Sequence, residues 1–303
     1  MRLLTIAFGP HRVEMLGLME KHIKRHQVLI LEEPPHPDFH RVLKREASIR
    51  NYLATGDFGF PRYVLRAYRL YQQLYTAQGI SFFQVDPYLA IAKNLAEGQA
   101  PRTKREYAVW QREHEATDSL LQYYAAAAGQ NFEAMVRTVK LFARSDARRI
   151  LLREEMRCEA IAGILKETSG DVYVEAGYIH LILYPLLKKA VPPEVRPRVL
   201  FLLGEPIRQL TDLPWRQPLS PGDVLTLRYV YGKPEGPGDS LLAAQSLVYV
   251  HLVSKEEKLP TPADPYPHLR EELALCNWVR RLTYQECAGF FRRPGPAAPK
   301  TEI

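Results

Sequence analysis

The chain has 303 residues, 46% of them apolar and 25% charged, ordinary globular proportions with length enough to bury a sizeable core. Three cysteines with no C-x-x-C pair argue against a disulfide scaffold or zinc ribbon and point to a reducing, cytoplasmic setting. The net charge of +7 comes from arginines interleaved with acids, without a basic tail or a nucleic-acid motif, so no nucleic-acid partner is expected.

In chain order, an apolar strand is predicted at 2–8, too short a run for a signal peptide or membrane helix. A helix follows over 13–25, then a β-branched strand at 28–31. Prolines 34, 35 and 37 punctuate its exit, and Asp38 is placed to cap a helix over 39–53. A turn at 56–61 leads into a Tyr-rich helix over 62–77, which Gly79 ends before a third strand at 80–85. Residues 88–164 are helical in pattern almost throughout, with breaks near 98–101 and 129. A fourth strand is predicted at 171–174, a helix at 179–189 and a fifth strand at 199–203. Apolar runs between 220 and 257 fit either period. Residues 265–292 read as helical, with a break near Thr283, and 293–303 as a flexible tail.

Strands separated by helices predict an α/β fold, a mostly parallel central sheet flanked by helices. The organisation expected is a single domain over 1–292. It would carry a helical insertion over the strand C-terminal edge (88–144) and a C-terminal extension (206–292). No run approaches membrane-spanning length, so no membrane contact is expected.

In open α/β sheets, ligands bind beyond the carboxyl ends of the strands. There this sequence places Gly9-Pro10-His11, Glu32-Glu33, Asp86, then Glu175, Gly177 and His180, and finally Gly204-Glu205. Each of these groups is expensive to bury unpaired. Plain turn chemistry explains any one of them, but five together point to a site. Two histidines with several carboxylates suit a divalent metal or acid–base chemistry. No G-x-S-x-G, G-x-G-x-x-G or Walker A sequence occurs, so a serine nucleophile and nucleotide binding lack motif support.

The stretch 147–189 carries Arg149, Arg153 and Met156 on one helix, a short strand, then Gly177-Tyr178-Ile179-His180. In this order it resembles the second half of the TraB/TIKI, erythromycin esterase-like and ChaN-like haem-binding superfamily. Gly9 and His11 stand where that group has its first histidine motif, and Glu32 and Glu33 where it has its acidic residue. The first motif is one residue shorter than in relatives and lacks their Glu; Glu14 lies a turn further on. The resemblance implies a metal-dependent protease, a hydrolase in which histidine activates water, or a haem-binding protein.

Residue by residue, His180 is expected one turn into a helix and facing the cleft, with His11 in a similar role. Glu32 and Glu33 point opposite ways if the strand continues, with Glu33 preferred for the site. Arg149 and Arg153, four apart, could clamp an anion or hold a site carboxylate, and exposed ion pairs explain them as well. His36 and His40 have helical ligand spacing, yet Pro37 lies between them and a solvated helix start accounts for them better. The series Tyr63, Tyr68, Tyr71, Tyr75 is explained by helix packing or, for a flat ligand, as pocket walls.

The expectation is a hydrolase acting on a small-molecule or peptide substrate. His11, Glu33, His180 and Arg153 would do the chemistry, and Gly9, Gly177, Asp86 and Arg149 would bind ligand. His11, Glu32, Glu33 and His180 are the candidate ligands of a divalent metal such as manganese, cobalt or zinc. Haem or another planar molecule is the alternative cargo, with histidine as its axial ligand, and a non-catalytic protein-interaction role is a third. The apolar stretch 220–257 leaves room for a homodimer.

Overall fold

The computed structural model describes residues 1–54, 60–129 and 131–292. The turn expected at 56–61 falls mostly on 55–59, and the tail on 293–303, both outside the described residues. The chain resolves into two compact units. A sheet unit takes in residues 1–90, 153–217 and 256–267, and a helical unit takes in the rest. The helical unit thus gathers most of the insertion and of the C-terminal extension.

The sheet unit starts with β1 (Arg2–Phe8), a 3-10 turn (Val13–Met15), α1 (Leu16–Ile23) and β2 (Val28–Leu31). Next come α2 (Phe39–Leu43), α3 (Ile49–Leu53), α4 (Pro61–Gln78), β3 (Ser81–Gln84) and the opening of α5 (Pro87–Ala96). The chain crosses the helical unit through α6 (Lys104–Ala128) and most of α7 (Phe132–Glu167). From Arg153 onward α7 belongs to the sheet unit, followed by β4 (Val172–Ala176), α8 (Leu183–Ala190), β5 (Val195–Phe201) and α9 (Gly204–Leu210). The helical unit is completed by α10 (Pro221–Val230), α11 (Pro237–Leu252), α12 (Pro267–Val279, from His268 on) and α13 (Tyr284–Arg292).

The five strands form one parallel sheet in the order β3-β2-β4-β1-β5. Ile6 of β1 lies between Val174 of β4 and Val199 of β5, and Ile30 of β2 pairs with Val174 from the other side. β2 and β4 are buried along their whole length, as parallel strands covered on both faces must be, and this is why β2 reads as an unbroken apolar run and β4 is apolar but for Glu175. On one face Leu4, Ile6, Val28, Ile30, Val172 and Val174 pack with Ile161 and Leu165 of α7 and Leu183 and Leu187 of α8. Alternation sends Tyr173 and Glu175 of β4 to the opposite face. β4 enters late in the chain, between two strands made early, and so sets its C-terminal end beside those of β1 and β2.

Several expectations change in detail: β5, expected at 199–203, runs over Val195–Phe201. β4 runs to Ala176, so Glu175 lies inside the strand rather than past its end. The helix expected over 39–53 is two short helices, because the chain turns back after α2: Arg45 adopts φ +63° and Glu46 N–H reaches Arg41 O. The helix expected from 179 begins at Leu183, so His180 sits in the turn before α8 and not inside it. Residues 220–257, ambiguous in period, hold α10 and α11. Ser220 and Asp223 cap α10 reciprocally ahead of Pro221 at its first turn, the arrangement that starts helices efficiently. Within that unit Asp239 is fully buried and accepts from Arg228 Nε at 2.9 Å and Tyr229 OH at 3.0 Å. No helix among the described residues is long and apolar enough to cross a membrane.

Candidate active site

The C-terminal ends of the strands in the sheet unit carry two linked groups of polar side chains. The inner one is built on Glu32, the first residue past β2. Its Oε2 accepts the Gly177 N–H at 2.5 Å, which ties the exit of β4 to that of β2. Its Oε1 lies 2.7 Å from Arg153 Nη2, 3.2 Å from His180 Nε2 and 3.6 Å from Arg157 Nη1. Arg153 also grips Asp86, past β3, through Nε at 2.8 Å and Nη2 at 2.6 Å. Asp86 Oδ1 in turn accepts the Leu89 N–H at 2.9 Å and caps the start of α5.

Arg157, one turn beyond Arg153, is fully buried. It meets Glu154 Oε2 at 3.0 Å, and donates to Glu175 O at 2.9 Å and Val85 O at 3.3 Å. His180 closes the ring with Nδ1 at 2.7 Å from Glu154 Oε1, an ion-pair distance whose direction is poor for a hydrogen bond. Three carboxylates thus share two guanidiniums and one imidazole. Burial alone would raise the Glu32 and Glu154 carboxyls, but the positive charges of Arg157, His180 and, for Glu32, Arg153 hold both below the usual carboxylate range.

The outer group is mostly buried and reaches solvent through His11. Glu175 Oε1 accepts from Tyr63 OH at 3.0 Å and lies 3.3 Å from His11 Nε2. The His11 ring stacks on Tyr63 with centroids 5.6 Å apart. Tyr63 is placed by the start of α4, where the Glu257 carboxylate receives the N–H groups of Arg62 and Tyr63 at 2.9 and 2.5 Å. Glu33 takes hydrogen bonds from Tyr68 OH at 2.5 Å and Gln84 Nε2 at 2.7 Å, and Tyr52 OH joins the same cluster.

His11 keeps 41% of its side chain exposed while Glu175 keeps 8%, so the imidazole is the group a ligand can reach. Burial opposes its charge, yet Glu175, with Glu32 and Glu33 behind it, lifts its pKa to about 9. Water on the exposed side screens that field without reversing it. Glu33 goes the other way from Glu32: burial raises its pKa and the bonds from Tyr68 and Gln84 offset this only partly.

Both histidine motifs leave little room for a side chain at their glycine. A Cβ on Gly9 would lie 2.8 Å from Leu202 Cδ1, so Leu202 would have to shift, and one on Gly177 would lie 3.1 Å from His180 Cδ2, so the His180 ring would have to give by a few tenths of an ångström.

The structure therefore brings Glu32, Asp86, Arg153, Gly177 and His180 into one cluster and His11 and Glu33 beside it. Arg149 is elsewhere: it lies in the helical unit, paired with Asp146 at 2.6 Å and Glu113 at 3.9 Å. Glu154 and Arg157 were not singled out from the sequence. Their signal is the Arg-Glu-x-x-Arg spacing 153–157, which places two cations and an acid on a helix face bordered by the buried Met156, Cys158 and Ile161. The tyrosines of α4 do pack, as helix packing predicts, but Tyr63 and Tyr68 also direct their hydroxyls at carboxylates.

Among the described residues one trio of metal-ligand type, Glu32, Glu154 and His180, has its atoms within 4.8 Å of one another. Both carboxylates already hold guanidinium partners, Glu32 Oε1 at 2.7 Å from Arg153 and Glu154 Oε2 at 3.0 Å from Arg157. A divalent ion would face two arginines at close range or displace them. The donor set fits arginine as its resident cation better than a metal.

No protein-family model and no solved structure matches the chain. A protein of Archaeoglobus fulgidus described as uncharacterized is 27% identical over 293 residues, 96% of this chain and 98% of its own length. That similarity runs through both the sheet unit and the helical unit.

Proposed function

We propose that the chain is a hydrolase of acyl compounds, esters or amides, working by general acid–base chemistry at His11, Glu175 and Glu33. The observation that carries this reading is the His11–Glu175 pair: an accessible imidazole held at 3.3 Å by a buried carboxylate. A carboxylate behind a histidine fixes ring orientation and stabilises the imidazolium.

With Nε2 turned to Glu175, Nδ1 is the ring nitrogen that meets substrate. At neutral pH it carries a proton and donates to the carbonyl oxygen or leaving group of a bound ester or amide. Glu33, a stronger base than an ordinary carboxylate because burial raises its pKa, takes a proton from the attacking water. Water adds to the acyl carbon, the C–O or C–N bond breaks, and the leaving group departs with the proton from His11. The inner cluster positions these groups. Arg153 and Arg157 hold Glu32, Asp86, Glu154 and the β4 carbonyl, and so fix the exits of β2, β3 and β4 relative to one another. The motifs behind the resemblance to the erythromycin esterase-like group fall on these same strand ends, which supports the reading. The mechanism runs through no metal.

The test is a panel of chromogenic esters, anilides and short peptides offered to protein dialysed against a chelator. Turnover is expected to survive chelation and to fall at least a hundredfold in His11→Ala, a size ordinary for an acid–base group. Turnover that vanishes on chelation and returns with added manganese, cobalt or zinc would transfer the chemistry to a metal at Glu32, Glu154 and His180. No turnover of any class would sink the hydrolase reading.

A further inference from the structure

The sheet unit contains a depression of about 480 Å³ lined by Arg45, Ser48, Ile49, Arg50, Leu65 and Arg69 among others. None of these residues belongs to the strand-end clusters. We propose that it is a second binding site, for a small molecule bearing a phosphate group.

The first argument is charge. Three arginines converge on one depression, and among the described residues none of the three has an ion-pair or hydrogen-bond partner for its guanidinium. Arg41, one turn earlier, does have one: Asp38 at 2.7 Å. Guanidinium groups match phosphate oxygens two by two, and all three are exposed, open to an arriving anion.

The second argument is backbone conformation. Arg45 is the one non-glycine residue with positive φ among the described residues, at 63°. It stands where α2 turns off, its N–H bonded to Val42 O at 3.0 Å and that of Glu46 to Arg41 O at 2.8 Å. Glycine is the residue that position favours, since a side chain there is strained. The chain places there one of the three arginines that line the depression.

The third is shape. Gln72 Nε2 donates to Val42 O at 2.6 Å and fixes α4, which supplies Leu65 and Arg69, against α2. Ile49 and Leu65 add apolar surface to the lining, and the volume is that of a small-molecule site. A phosphate joined to a ring or short alkyl group has this combination of features.

Calorimetric titration of the full chain at low salt tests the proposal, with ADP, pyrophosphate and inorganic phosphate offered separately. ADP and pyrophosphate are expected to bind once per chain, and Arg50→Ala and Arg69→Ala each to weaken them about tenfold or more. Arg45→Gly is the decisive variant. It relieves the strained φ, so Tm should rise while binding weakens, which separates the side chain's role from the fold's. Tighter binding of ADP than of pyrophosphate assigns the apolar lining to the nucleoside; equal binding assigns the site to phosphate alone. The proposal is overturned by no heat from any probe at millimolar concentration, or by binding unchanged in all three arginine variants. Binding lost in His11→Ala but kept in those variants would move the ligand to the strand ends and overturn it equally.

Discussion

Glu175 meets two partners of different character, a tyrosine hydroxyl that stays neutral and a histidine that takes up charge, and the second makes the protein's stability depend on pH. The His11 pKa is raised in the fold, so its contribution is complete below about pH 6.5, the unperturbed value. It is lost as pH climbs through about 9. Melting curves of the wild type and His11→Asn should therefore differ most near pH 6 and converge by pH 10. The Glu32 and Glu154 carboxyls have the opposite sign. Their pKa values are depressed, so their contribution is present above about pH 4.5 and falls away on acidification. Glu33 is raised by burial, and its ionisation costs stability at neutral pH. Glu33→Gln should keep or slightly raise Tm while removing turnover of whatever ester or amide the wild type accepts; a variant that unfolds would show Glu33 to be structural.

Among the elements, α7 has the largest consequences. Losing Arg157 leaves Glu154 without its guanidinium and removes the more distant of the two that meet Glu32, so Arg157→Met should destabilise by about 3–5 kcal/mol in urea unfolding, as broken buried pairs do. Arg149→Ala, eight residues earlier and half exposed, should change stability by less than about 0.5 kcal/mol. At α10, Ser220→Ala removes one side of a reciprocal cap and should cost about 1 kcal/mol. These contrasts explain what the sequence makes legible. The apolar runs of β1, β2 and β3 place those strands to within a residue or so; β2, buried along its whole length, is the clearest, because a strand buried on both faces has no other composition. The break between α2 and α3 is hidden, since Arg45 stands where glycine would have announced it. The start of α8 is hidden too, since Ile179 to Ile182 are apolar enough to continue a helix that the His180 turn delays.

For the whole molecule, the sheet order decides which polar residues meet. The parallel α/β class follows from alternating strands and helices, but no local pattern says that β4 lies between β2 and β1. Glu32 and Arg153 are 121 residues apart in the chain, and Tyr63 and Glu175 112 apart. The strand-end rule therefore finds Glu32, Asp86, Gly177 and His180 without showing that Glu32 pairs with arginines and His180 with Glu32 and Glu154, while His11 pairs with Glu175. Which carboxylate partners which cation is a property of topology.

The charged His11–Glu175 pair is the centre of the account, and NMR titration of the His11 ring measures it without any knowledge of substrate. The midpoint should lie well above 6.5, towards 9, and should drop in Glu175→Gln. A midpoint near 6.5 that ignores Glu175→Gln would contradict the account.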